Sequence, residues 1–222
     1  MERVDLAGAW RLARDGAEPI AGRLPGCTYL DYLAEGMADP FWGLNQAGAG
    51  ELARHRYRYS RRFDLDERIL QRERLELVVD GLDTLCAVSL NGRVAGRANN
   101  VNRVWRMDVK RLCRPGQNSI ELDFEDPYAA LAQLQRDDPL PKPMTPLAGI
   151  GHLRKTPSHF GWDWGPELPP AGVARGIGLE AFDLRIADLR IRQRHLNGQV
   201  TLLVTAKCSP AADAAGAAVP DA

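Results

Sequence analysis

The feature that most constrains this chain is an apolar pattern of period two, repeated in short runs and cut by turn residues. Arg56–Leu65 sets Tyr57, Tyr59 and Arg61 against Arg56, Arg58 and Ser60, and ends in Phe63 and Leu65. Successive side chains of an extended strand point to opposite faces, so such a run offers one face to a core and the other to water. Leu75–Val79, Thr84–Leu90, Arg93–Arg97, Val104–Val109 and Ser119–Phe124 follow at short intervals. Asn91-Gly92 joins two of these runs, and both residues tolerate the positive φ that a two-residue hairpin demands. Arg114–Asn118 (RPGQN) is a turn by composition. The pattern predicts an all-β protein, a β-sandwich of antiparallel strands whose alternate residues fill the space between two sheets.

Few helices interrupt it. Tyr29–Glu35 has helical spacing and Gly36 stops it; in Pro127–Arg136 the proline fits a first turn and Tyr128, Leu131 and Leu134 recur at three-residue steps. Trp10–Leu12 reads as a short strand, Arg23–Gly26 as a loop, and Asp39–Gly43 as an irregular aromatic loop. Asp137–Pro146 is proline-rich and irregular. Gly178–Phe182, Ile186–Ile191 and Gln199–Ala206 read as closing strands, and Ser209–Ala222 as a linker or frayed end.

Charge and cysteine usage exclude several functions. With 29 basic and 29 acidic side chains in 222 residues, nothing favours nucleic acid or an anionic membrane surface. No run of about 18 apolar residues exists to span a bilayer. Residues 1–30 carry Glu2 and Asp5 where a leader would be basic and then apolar, so a cytoplasmic location is expected; a removed leader, and with it a periplasmic or secreted protein, stays open. Cys27, Cys86, Cys113 and Cys208 are irregularly spaced, and His55, His152, His159 and His195 are scattered, so free thiols and neither metal nor cofactor are expected.

One stretch stands apart. Ser158–Pro166 reads SHFGWDWGP, with Trp162 and Trp164 flanking Asp163. A carboxylate between two indoles has two uses: to accept their N–H groups as a structural clasp, or to bind a polyhydroxylated ligand whose ring lies on an indole face. The residues alone leave both open.

In chain order, LAGAWRL (Leu6–Leu12), LPGCTYLDYLAEGMADPFWGLN (Leu24–Asn45), YRYSRRFDL (Tyr57–Leu65), VVDGLDTLCAVSLNGRVAGRANN (Val78–Asn100) and RKTPSHFGWDWGPELPPAGVARGIGLEAF (Arg154–Phe182) resemble the N-terminal part of glycoside hydrolase family 2 enzymes, in particular the β-mannosidases. The GLDT and LNG pair is common to the wider family, whereas FGWDWGP after RK is specific to the β-mannosidase branch. The resemblance implies a jelly-roll, galactose-binding-like domain over residues 1–185. Residues 186–222 would open an immunoglobulin-like sandwich, and a catalytic barrel would follow. It also implies that Trp162 and Asp163 help line a pocket for a terminal β-mannoside, with Arg154, Lys155 and Trp164 supporting the loop. Retaining hydrolysis needs two carboxyls about 5–5.5 Å apart. The family's pair lies in the barrel, and Asp163, the solvated-looking Asp137-Asp138 and Glu125-Asp126 do not replace it, so no catalytic residue is expected here and the chain alone should be inactive. Three roles remain: a non-catalytic wall of a mannosidase pocket, an independent carbohydrate-binding module, and a purely structural domain.

Overall fold

The computed structural model describes residues 1–141, 147–163 and 165–210. In chain order its first ten strands are β1 (Glu2–Asp5), β2 (Gly8–Arg14), β3 (Ile20–Leu24), β4 (Gly26–Cys27), β5 (Tyr57–Leu65), β6 (Arg74–Asp83), β7 (Cys86–Leu90), β8 (Arg93–Ala98), β9 (Val104–Asp108) and β10 (Gly116–Phe124). A short hairpin, β11 (Phe160–Trp162) and β12 (Gly165–Glu167), precedes the long strand β13 (Gly172–Phe182). The last two strands are β14 (Leu184–Leu196) and β15 (Gln199–Pro210). Four short helices intervene: α1 (Thr28–Ala34), α2 (Gln46–Gly50), α3 (Glu67–Leu70) and α4 (Pro127–Asp137).

The expected all-β jelly-roll sandwich is what forms. One sheet runs β3-β2-β5-β10-β7-β8; the other runs β1-β13-β6-β9, with β4 added against β13. All these pairings are antiparallel. Their inward side chains are those the alternation selects: Tyr57, Tyr59, Phe63 and Leu65 from β5, Leu75, Leu77 and Val79 from β6, and Ile120, Leu122 and Phe124 from β10 are all buried in one continuous core. Burial of each large apolar side chain contributes about 1.5–3 kcal/mol, which sets the register of every strand. The Asn91-Gly92 turn has φ of 49° and 75°, the left-handed pair its composition predicts.

The turn at Arg114–Asn118 is held from inside. Asn118 is 1% exposed, yet all its polar valences are used. Its Oδ1 accepts from Arg114 N (3.0 Å) and Asn91 Nδ2 (2.8 Å), and its Nδ2 donates to Arg114 O (2.7 Å) and Gly116 O (2.8 Å). A buried amide is tolerated when it is satisfied in this way.

Several sequence expectations need correction. Arg23 and Leu24 lie in β3 and not in a loop, because residues 20–24 pair with β2. Ser209 and Pro210 belong to β15 and not to a linker; residues 211–222, the rest of that expected tail, lie outside the described residues. Asp126 is no merely solvated acid: its carboxylate accepts from Tyr128 N and Ala129 N and caps α4. Part of the proline-rich run, residues 142–146, lies outside the described residues.

Candidate functional site

The Trp-Asp segment is presented by the β11–β12 hairpin. Phe160 pairs with Glu167 and Trp162 with Gly165, so Asp163 stands at the closed end. Gly161 sits at φ +85°, a left-handed value that a side chain would strain. Phe160 is the root of the hairpin. It is 2% exposed and packs with Leu131, Ile150 and Leu153 in a small core separate from that of the sandwich, with Tyr128 edge-on at 5.6 Å.

Beyond that root the hairpin forms one wall of an open cleft of about 680 Å³. Trp162, Asp163 and Glu167 line it from the hairpin; Gln46, Glu51 and Arg54 line it from α2 and the 3₁₀ turn that follows. Trp162 is half-buried and Asp163 exposed. Among the described residues nothing bonds or pairs with the Asp163 carboxylate. Trp164 lies outside the described residues, so its expected support of the loop has no structural counterpart to compare.

A polar lattice at Glu167 ties the hairpin to α4 and to the 3₁₀ turn across the cleft. The Tyr128 hydroxyl donates to Glu167 Oε1, and the Arg54 guanidinium lies over the Tyr128 ring at 4.1 Å and reaches Glu167 at 4.0 Å. Burial, then the Glu167 carboxylate, push the Tyr128 phenol well above its usual range, so it stays a donor. Arg54 and Tyr128 carry no local motif and come from sequence positions more than 30 residues from the hairpin; only folding brings them to it. Glu167 could have been suspected from its place directly after the Trp-Asp segment.

Arg154 and Lys155 differ sharply. Arg154 is exposed, and its backbone meets Asn100 in a parallel bridge while its carbonyl accepts from Val101 N. Lys155 is buried in the segment that leads into the hairpin. Its Nζ pairs with Asp83 Oδ1 at 2.7 Å and donates to Pro170 O at 2.7 Å. Asp83 also accepts from the Thr84 hydroxyl. One ammonium thus ties the chain just before the hairpin, the chain just after it, and the end of β6. Burial pushes the Lys155 ammonium below the usual lysine range even with Asp83 beside it. His159, in the 3₁₀ turn leading into β11, is lowered by burial and then by the Lys155 charge. Its Nδ1 is buried with no hydrogen-bond partner among the described residues. Among the described residues no cluster of His, Cys, Asp or Glu could hold a metal ion, and no helix is long and apolar enough to cross a membrane.

Two antiparallel sheets around one core, with a cleft of aromatic, acidic and basic side chains beside them, define a sandwich domain of the galactose-binding-like class. The model of the family described as glycosyl hydrolase 2 galactose-binding domain-like matches residues 10–175, and the chain belongs to that family. It corresponds to the N-terminal domain of family 2 proteins of the β-mannosidase type. It is 33% identical to β-mannosidase B of Aspergillus terreus over 77% of its own length and 20% of that protein. It is 31% identical to β-mannosidase B of Aspergillus clavatus over 90% of its length and 25% of that protein. The crystal structure of the Dictyoglomus thermophilum β-D-mannosidase superposes with a TM-score of 0.90 at 25% identity, over 95% of this chain and 26% of that one. The chain therefore spans about a fifth to a quarter of the length of these relatives.

Proposed function

We propose that this chain is the non-catalytic, substrate-contacting domain of a β-mannosidase. Trp162 and Asp163 form one wall of the pocket for a terminal β-mannose, and bond cleavage falls to carboxyls outside residues 1–222. The observation that carries this reading is the exposed Asp163 carboxylate at the closed end of a hairpin, beside the half-buried Trp162 on an open cleft. An acid accepts sugar hydroxyls, an indole shapes the apolar side of the ring, and a carboxylate left unpaired in a closed pocket rejects ligands that lack the matching hydroxyl. Lys155 acts as a positioning residue for the hairpin, and Arg154 supports its approach through the bridge to Asn100. Residues 1–185 are read as the jelly-roll domain and 186–222 as the opening of an immunoglobulin-like sandwich. The failure of β14 and β15 to join either sheet of the jelly roll supports that division. The natural environment is read as cytoplasmic.

A chimera tests the assignment: residues 1–190 of this chain replace the corresponding part of the Dictyoglomus thermophilum β-D-mannosidase. The chimera should cleave an aryl β-mannoside, and Asp163→Ala should lower kcat/KM by about 100-fold or more, the size of effect that loss of a hydroxyl-pairing group produces. A folded, active chimera indifferent to Asp163→Ala would overturn the reading. The independent-module alternative is favoured by one observation, that Gln46, Glu51 and Arg54 face the hairpin across the cleft and offer a ligand polar groups on a second side. Calorimetric titration of the chain with mannose and mannobiose separates the two: binding that Asp163→Ala removes supports the module, and no binding by folded chain supports the shared pocket.

A further inference from the structure

The cleft beside the hairpin has two polar ends. At the closed end of the hairpin stands Asp163, an acceptor. At the root stands Glu167, paired with Phe160 two residues beyond the Trp162–Gly165 rung, about 7 Å along the strand. The turn from α2 into the 3₁₀ segment Glu51–Arg54 lies against this root end: a Cβ on Gly50 would stand 3.5 Å from the Glu167 carbonyl oxygen. Arg54 closes that segment and lines the cleft.

Arg54 is held in place with its donors unspent. Its guanidinium lies over the Tyr128 ring at 4.1 Å, and the Tyr128 hydroxyl is itself fixed on Glu167. That contact orients the cation without a hydrogen bond to a carboxylate. The acids on either side offset its charge but do not take its protons. Arg54 Nε is 3.8 Å from Glu51 Oε1, and Nη2 is 4.0 Å from Glu167 Oε1. Both exceed the roughly 2.7–3.2 Å of an N–H···O hydrogen bond. Among the described residues the guanidinium therefore donates no hydrogen bond, although it carries a fork of N–H groups at the edge of a cleft.

We propose, resting on the reading of Trp162 and Asp163 as the mannose wall, that Arg54 is a specificity residue for the second sugar of the substrate and donates to the hydroxyls of the unit that follows the terminal mannose. A cleft of about 680 Å³ is in the range that takes a drug-sized ligand, and a single hexose leaves it partly empty. Acceptor and donor stand at separate ends, so a ligand that engages both spreads its hydroxyls over more than one ring. The other ligand that suits an arginine fork is a carboxylate. The lining opposes it: among the described residues Glu51, Asp163 and Glu167 face the cleft against the one guanidinium, so its field is net acidic. Uncharged saccharides are accepted there and uronic acids repelled.

The first test uses the 222-residue chain. The Arg54 Nε–Hε resonance, assigned by its loss in Arg54→Lys, should move when mannobiose is added at tens of millimolar, a movement that reads binding too weak for calorimetry. It should move less with methyl β-mannoside, which has one ring. The second test uses the chimera. Arg54→Met should lower the ratio of kcat/KM for mannobiose to kcat/KM for an aryl β-mannoside about tenfold or more, because an aryl ring in the second position has no hydroxyl to lose. Asp163→Ala should lower both values together. An unmoved Arg54 resonance, equal movement with the two ligands, or a ratio that Arg54→Met leaves unchanged would each overturn the assignment of Arg54. A ratio that shifts with Arg54→Met while Asp163→Ala has no effect would instead overturn the mannose wall and keep Arg54 as the reader of the second sugar. An inactive chimera counts against the parent activity alone, and the resonance titration then decides for or against Arg54.

Discussion

β6 and β14 read alike as sequences and end in opposite environments. Both alternate apolar and polar residues: Leu75, Leu77 and Val79 in one, Leu189 and Ile191 in the other. In β6 those side chains are wholly buried between two sheets; in β14 they are more than half exposed. Period two therefore dictates the strand and the sidedness of its face. It does not dictate burial, which needs a second sheet to arrive. The cleft hairpin lies between these extremes: its root, Phe160, is buried, while its closed end, Asp163, is open to water.

That contrast can be broken most forcefully at Lys155. Lys155→Met leaves Asp83 buried without its cation and should cost about 3–5 kcal/mol in chemical denaturation, whereas the double variant Lys155→Met, Asp83→Leu should recover much of the loss. Equal losses in the single and double variants would show that the pair is not coupled. Leu77→Ala should cost about 2–5 kcal/mol by opening a cavity in the sandwich core. Ile191→Ala in the β14–β15 ribbon, where the side chain is 58% exposed, should shift stability by no more than about 0.5 kcal/mol. A comparable loss at the two sites would mean that the ribbon is covered after all. Asn118→Leu strands Arg114 N, two carbonyls and the Asn91 amide, and should cost about 2–3 kcal/mol.

Smaller effects sharpen the comparison within the site. His159 is held below its ordinary value, so between pH 6.5 and its folded pKa the unfolded chain binds the extra proton. Stability should accordingly fall as pH drops below 6.5, and His159→Gln should flatten that part of the curve. An unchanged slope would mean that His159 titrates normally. Asp163→Ala should leave the melting temperature of the chain unchanged, because the carboxylate is exposed and makes no bond among the described residues. A clear loss of stability would favour the clasp reading of the Trp-Asp segment.

Much of the fold was legible because the long strands carry their own signal. β5, β6 and β10 are nine or ten residues each, enough for the alternation to emerge, and Asn91-Gly92 marks its hairpin by chemistry alone. β1 and β3 were less legible: ERVD is mostly charged, and IAGRL runs into a Leu-Pro-Gly sequence with loop character. What makes them strands is the neighbour each pairs with, β13 and β2. β11 and β12, three residues each, are too short for any period to show.

By itself, the sequence determined the antiparallel sandwich and the identity of its inward face, and it marked Trp162-Asp163 as a segment with two uses, a structural clasp or a ligand site. These rest on local quantities: strand periodicity, turn conformations, and the cost of clustering indoles around an acid. Only the tertiary structure decided that Lys155 is buried on Asp83 while its neighbour Arg154 is exposed, that Arg54 and Tyr128 meet at Glu167 of the hairpin, and that β14 and β15 present an apolar face open to solvent among the described residues. The physical reason is common to all three. Burial, ion pairing and uncovered surface depend on what distant segments place within a few ångströms, and neighbours along the chain carry no record of that.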